Sequence, residues 1–112
     1  MLKTICAAVL LMASAVGARA EALIPRSMPG DKGTYYLMES KRTGVVVQAL
    51  HKRVGPNETG YSRTETNCGT MKMRELGYSE ESPQAIKSNP GQWFDLVPGS
   101  SKSDVANFVC RR

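Results

Sequence analysis

The chain reads as α+β: a small antiparallel sheet covered by a C-terminal helix and tied by one disulfide. Three observations predict this. Runs rich in strand-forming residues follow one another between clusters of Gly, Pro and Asn. A helical pattern, Val105, Phe108 and Val109 at i, i+3 and i+4, closes the chain. Cys68 and Cys110 are placed so that one bond would join that last element to the strands before it. Strands followed by a terminal helix make a sheet with its helix on one face.

The first 20 residues predict export. Lys3 precedes an apolar run from Ile5 to Val16, and Ala18-Arg19-Ala20 supplies an A-x-A site, the pattern of a secretory signal peptide cleaved after Ala20. The run is shorter than the roughly 20 residues that span a bilayer. Cys6 lies inside it without the small-residue box of a lipid-attachment site, so no lipid anchor is expected. The expected organisation is a signal peptide over 1–20, an extended arm over 21–32 and one domain over 33–112. The expected destination is the periplasm, the outer-membrane surface or the medium.

Charge narrows the partners. The whole chain carries 15 basic and 10 acidic residues. Losing Lys3 and Arg19 leaves 13 basic residues, a net charge of +3 on the 92 residues from Glu21 to Arg112. Such an excess weakly favours an anionic envelope or host surface and predicts no specific nucleic acid. A domain of this size has a marginal core. An oxidising compartment makes a disulfide the natural staple, and two cysteines allow one intrachain pairing. Closing that loop is worth roughly 4 kcal/mol in the chain-entropy model. Two cysteines and the lone His51 cannot complete a four-ligand zinc site, and no cofactor motif is present.

Taken in order, Glu21 to Lys32 holds Pro25, Pro29 and Gly30 without a period and reads as an arm. Thr34-Tyr35-Tyr36-Leu37-Met38 predicts a strand within 33–40, and Lys41 to Gly44 a turn with Gly44 at positive φ. Val45 to Leu50 predicts a central strand covered on both faces, its apolar residues occupying both parities. Gly55 to Gly60 predicts a loop. Its Asn57-Glu58-Thr59 fits a glycosylation acceptor, relevant in a eukaryotic secretory pathway. Tyr61 to Leu76 reads as two strand segments or one strand bulged at Gly69, with a helix over Met71–Leu76 as the alternative. Tyr78 to Gly91 reads as an exposed connection, and Gln92 to Val97 as a short strand ended by Pro98-Gly99. Ser101-x-x-Asp104 predicts the helix start as a capping box. Arg111 and Arg112 suit its negative end, whereas Lys102 sits at the positive one.

No catalytic set stands out, and the expected protein is not an enzyme. His51 is flanked by Lys52 and Arg53, which disfavour its protonation. A hydrolase or nuclease would have to combine it with Glu65 or Glu75 and an arginine. A half-exposed polar residue at a strand end is the simpler reading. Basic and aromatic residues are the better candidates for partner binding: Tyr35, Lys41, Arg42, Lys52, Arg53, Tyr61 and Arg63. A hairpin would put Lys41-Arg42 and Lys52-Arg53 at opposite ends of its second strand, so they would not form one patch. Tyr35, Tyr36 and Tyr61 could stack against a glycan or a single strand, or be half-buried sheet residues. Trp93 beside Phe94 reads as core.

The second half resembles the surface-adhesin protein E-like domain. Thr66-Asn67-Cys68, Met73-Arg74-Glu75-Leu76, Gln92-Trp93, Val97-Pro98-Gly99-Ser100 and Phe108-Val109-Cys110 carry the likeness, with Tyr35-Tyr36 and Val45-Val46-Val47 fitting the early strands. It spans roughly Gly33 to Cys110. The resemblance implies a bacterial envelope protein with a Cys68–Cys110 bond, binding host matrix or plasma proteins and able to dimerise. Asn67 replaces a usual acidic residue, and the matching residues are structural, so no binding residue carries over. A periplasmic inhibitor or stability factor of another envelope protein, acting through the Gly55–Gly60 loop, is the second expectation. A small secreted hydrolase using His51 is the third.

Overall fold

The computed structural model of the protein describes residues 21–28 and 30–112. The signal-peptide reading falls on residues 1–20, outside them. Six strands form one antiparallel sheet in chain order: β1 (Ala22–Leu23), β2 (Thr34–Thr43), β3 (Val46–Val54), β4 (Thr59–Asn67), β5 (Lys72–Ser79) and β6 (Phe94–Asp95). One helix, α1 (Ser101–Cys110), packs on one face. The expected α+β architecture is therefore present.

The hairpins follow from local chemistry, shifted by a few residues from the sequence reading. Lys41, Arg42 and Thr43 belong to β2, and the turn is Gly44-Val45, with Gly44 at φ 63°. Val45 is thus an exposed turn residue rather than the start of β3. β3 and β4 meet through a four-residue loop in which the Gly55 amide donates to the Glu58 carbonyl (2.8 Å). β4 and β5 are two strands of a hairpin, so the helix over Met71–Leu76 does not form. The turn from Cys68 to Met71 is organised by Asn67, whose Oδ1 accepts from the amides of Gly69 (2.8 Å) and Thr70 (3.0 Å). The positive φ falls on Met71 (56°), not on Gly69.

Helix α1 begins one residue earlier than the capping-box reading. Ser100 is the N-cap, its hydroxyl accepting from the Ser103 amide at 3.1 Å. Asp104 is thereby released from capping and turns to the arm, accepting from Arg26 Nε (2.8 Å) and the Ser27 amide (3.0 Å). Burial alone would raise the Asp104 carboxyl, but these donors hold it below its ordinary value. Far from being a loose leader, the arm adds β1 to the sheet and Ile24, 1% exposed, to the core.

The core lies between the sheet's inner face and α1: Ile24, Tyr35 and Leu37, then Val47, Ala49 and Met73, with Val105, Ala106 and Val109 from the helix. Thr64 and Thr66, expected on a polar strand, are 1% exposed on this inner face. Among the described residues the outer face has no second layer. Leu50 is buried there all the same, because its register partners Glu39 and Arg63 reach across it as an ion pair at 4.0 Å. Thus β3 is central, but its outer cover is side chains of the neighbouring strands.

Cys68 and Cys110 are bonded across 42 residues. Cys68 lies at the β4–β5 turn rather than within a strand, so the bond pins the C-terminal end of α1 to one end of the sheet. Arg42 reinforces that end by donating to the Cys110 carbonyl at 3.1 Å, which satisfies a helix-terminal acceptor. Reduction, or the double change Cys68→Ser and Cys110→Ser, should lower unfolding free energy by about 4 kcal/mol in denaturant titrations; an unchanged midpoint would refute the staple. Ile24→Ala should cost about 3 kcal/mol in the same assay, whereas a detached arm would show no loss.

Candidate functional site

Length decides where the inner face stays open. A ten-residue helix is about 15 Å long, while strands of nine residues run about 30 Å. With its far end fixed at the Cys68 turn, α1 covers about half of the inner face. Beyond its first turn the sheet surface continues uncovered and forms a pocket of about 210 Å³. Its floor and walls come from Tyr35, His51, Arg53, Ser62, Glu75 and Tyr78 on the strands, Glu58 on the β3–β4 loop, and Ser101 and Lys102 on the helix.

One bulge brings Glu75 and Tyr78 into this set, and a second shapes the far end of β2. Between β4 and β5 the register slips, so that Thr64 faces Glu75 while Arg63 faces Gly77 and Ser62 faces Tyr78. The extra residue, Leu76, lets Glu75 and Tyr78 share the inner face although simple alternation would separate them. A second bulge at Met38 in β2 keeps Leu37 opposite His51 but sends Glu39 outward opposite Leu50. The same slip turns Arg42 inward and Lys41 outward. Gly60 completes the wall: a Cβ there would come within 2.8–2.9 Å of Tyr78 ring carbons, so only glycine lets that ring lie across β4.

The charges at the pocket are paired. Lys102 Nζ meets Glu75 at 2.9 Å. Arg53 donates to Asp31 (2.7 Å) and reaches Glu58 at 3.3 Å. Hydrogen bonds from Arg53, Tyr35 and the Gly33 amide hold the Asp31 carboxyl far below its usual range, and Asp31 holds the Arg53 guanidinium above its own. Tyr35 is fixed at 7% exposure, its hydroxyl bonded to Asp31 and its ring under the Arg26 guanidinium at 5.0 Å.

His51 is the group the sequence misplaced. It is 8% exposed rather than half-exposed, because strand alternation turns it inward while its neighbour Lys52 points out. Its Nε2 is buried without a hydrogen-bond partner, and Ser62, its register partner on β4, makes no bond to it. Burial, aided by the Lys102 charge and opposed by Glu75, lowers its pKa from 6.5 to about 4. The cause is therefore desolvation first, not the flanking cations that the sequence offered.

The chain matches no protein-family model, no curated protein and no solved structure.

Of the seven residues expected to bind a partner, Tyr35 and Arg53 reach the pocket. Arg42 lies on the same face at the far end, occupied with the helix terminus. Lys41, Lys52, Tyr61 and Arg63 lie on the outer face, three register positions separating Lys41 from the Tyr61–Lys52 pair. There Lys52 pairs with Glu21 (2.8 Å), Arg63 with Glu39 (4.0 Å), Arg74 with Glu65 (2.8 Å) and Lys72 with Asp95 (2.8 Å). Hydrogen bonds from Gln48 and Arg74 hold Glu65 below its ordinary value, and its position on this face removes it from any set with His51. Trp93, expected in the core, is 40% exposed under the Arg74 guanidinium at 5.0 Å. Glu58, Ser62, Tyr78, Ser101 and Lys102 are the pocket residues that sequence reasoning missed. The loop signal at Gly55–Gly60 was the one available pointer to them.

The His51 shift has a stability consequence. The unfolded chain binds a proton near pH 6.5 that the folded chain refuses until about pH 4, so stability falls as pH drops through that window. The full loss is about 3 kcal/mol. Between pH 6.5 and about 5 the shifted carboxyls stay ionised, so the slope there is carried by His51. Denaturant titrations across this range should show the slope in the native protein and a flat line in His51→Asn; equal slopes would refute the assignment.

Proposed function

We propose that the protein is a non-enzymatic, exported envelope protein that binds a macromolecular partner through the open half of its inner face. One observation carries this reading: the pocket is ringed by paired charges, and its buried unpaired group, His51 Nε2, belongs to an imidazole held neutral. General acid–base work near neutral pH favours a group whose pKa lies near the operating pH. An imidazole at about 4 is a weak base, suited to accepting or donating one hydrogen bond in recognition. The leader pattern over 1–20 and the disulfide agree with export, and no helix among the described residues is long and apolar enough to cross a membrane. Adhesion to a host matrix or plasma protein is the sharpest form of this reading, in keeping with the resemblance to the surface-adhesin protein E-like domain. Inhibition or stabilisation of a periplasmic protein is its other form, favoured by Glu58, which brings the Gly55–Gly60 loop to the pocket rim.

A hydrolytic reading has its own support in the convergence of His51, Ser62, Glu75 and Arg53. It lacks the nucleophile–base hydrogen bond that such chemistry uses.

The test compares faces. A partner captured from host matrix, plasma or envelope extract should lose at least tenfold in affinity, about 1.4 kcal/mol, on Lys102→Gln, and none on Arg63→Gln at the outer face. Binding that follows Arg63 and ignores Lys102 would move the site to the outer face. Turnover of an ester or phosphodiester substrate that disappears in both His51→Ala and Ser62→Ala would replace the binding reading with the hydrolytic one. Surface labelling of intact cells separates the adhesin from the periplasmic form.

A further inference from the structure

The pocket's chemistry also defines the class of its occupant. Its lining holds two cations, Arg53 and Lys102, and two anions, Glu58 and Glu75, each cation already in an ion pair. An anionic ligand would have to displace Glu75 from Lys102 or the carboxylates from Arg53, and a cationic one would have to displace Lys102 or Arg53. A neutral ligand leaves both pairs intact. Around it the lining offers donors (Arg53, Lys102, and the Ser101 and Lys102 amides, which have no intrahelical acceptor), acceptors (Glu58 and Glu75), and groups that are both (Ser62 and Ser101). Hydroxyl groups, which donate and accept at once, match such a mixed ring.

Two further features narrow the choice. His51 lines the pocket, and its Nε2 is buried and unpaired, a polar atom whose isolation costs free energy. The tip of the Tyr78 side chain passes over Gly60, and the residue is 52% exposed, so it offers aromatic surface at the rim. At about 210 Å³ the pocket falls below the roughly 300–1,000 Å³ of sites for drug-sized ligands and holds one small unit.

We propose that this pocket binds one neutral hexose unit of a glycan, its ring face against Tyr78 and its hydroxyls among His51, Ser62, Glu75 and Lys102. The inference rests on the binding reading above and supplies the part of the partner that enters the site. The glycan belongs either to the bacterial envelope or to a host glycoprotein, since both present neutral hexoses.

The test is an NMR titration of the purified protein with glucose, galactose, mannose and N-acetylglucosamine, with N-acetyl-alanyl-alanine amide and acetate as controls. At least one sugar should shift the His51 ring and the Ser62, Tyr78 and Lys102 amides, with a Kd of about 1 mM. Tyr78→Ala and Lys102→Gln, both at exposed or half-exposed positions, should weaken it at least tenfold, and His51→Asn likewise. Tyr61→Ala on the outer face should change nothing. Soluble peptidoglycan fragments and a desialylated host N-glycan then distinguish the two sources by which binds more tightly. Absence of shifts with all four sugars tenfold above that concentration would overturn the proposal. So would equal shifts from the amide or acetate, which would mark a peptide or carboxylate site. A partner protein that needs Lys102 but is not displaced by any sugar would sink the hexose while leaving the binding reading in place. Substrate turnover lost on His51→Ala would sink that reading itself.

Discussion

The bond between Cys68 and Cys110 sets the position of α1, and the rest of the architecture follows from that position. A single-layer sheet covered on one face has little apolar surface to bury, and a ten-residue helix gives it Val105, Ala106 and Val109 as its buried apolar partners. Anchoring the helix at the Cys68 turn fixes its C-terminal end, and its length fixes where its other end falls. Arg42 on the terminal carbonyl and Arg26 on Asp104 hold the same element from two further sides. The pocket is what remains of the inner face once a helix of that length has been placed.

Alternation along each strand then decides what the pocket contains, with two interruptions. A bulge at Leu76 puts Glu75 and Tyr78 on one side, and a bulge at Met38 reverses the sides of β2 beyond it. Both changes act on electrostatics. Glu75 becomes the partner of Lys102 at the helix start, and Glu39 becomes the partner of Arg63 above Leu50. On the outer face Lys52, Arg63, Arg74 and Lys72 each meet an acidic residue, while Lys41 lies opposite Gln48, so much of the positive charge there is paired. Such exposed pairs contribute little stability individually, about 0–1 kcal/mol each; their effect is to remove unpaired charge from the surface. Within the pocket the same pairing leaves a mixed, neutral ring around a buried imidazole.

A buried histidine with an unpaired nitrogen makes the fold less stable in acid, and nothing in the core needs it there. A leucine or phenylalanine would cover the same area without the desolvation cost. Thr64 and Thr66 also carry buried unpaired hydroxyls on this face, but of the three only His51 lines the pocket, near the glycine over which the Tyr78 side chain passes.

The sequence by itself left Met71–Leu76 open between strand and helix and read β1 as part of an arm. It determined β2, β3 and β4 as strands, the terminal helix with its apolar face, and the disulfide partners. Each of these depends on local propensity, on period, or on there being two cysteines to pair. It did not determine which residues meet. The boundaries slipped where turn chemistry was local but compact, as at Gly44-Val45 and in the Asn67-organised turn. The arm's place in the core was hidden because Ile24 stands in a stretch without a period. The pocket was decided by tertiary structure alone: it depends on a one-residue register slip between β4 and β5 and on the length of a helix measured against strands from distant parts of the chain. No window of sequence holds those quantities together, since a bulge is defined by the strand opposite and a burial by the element above.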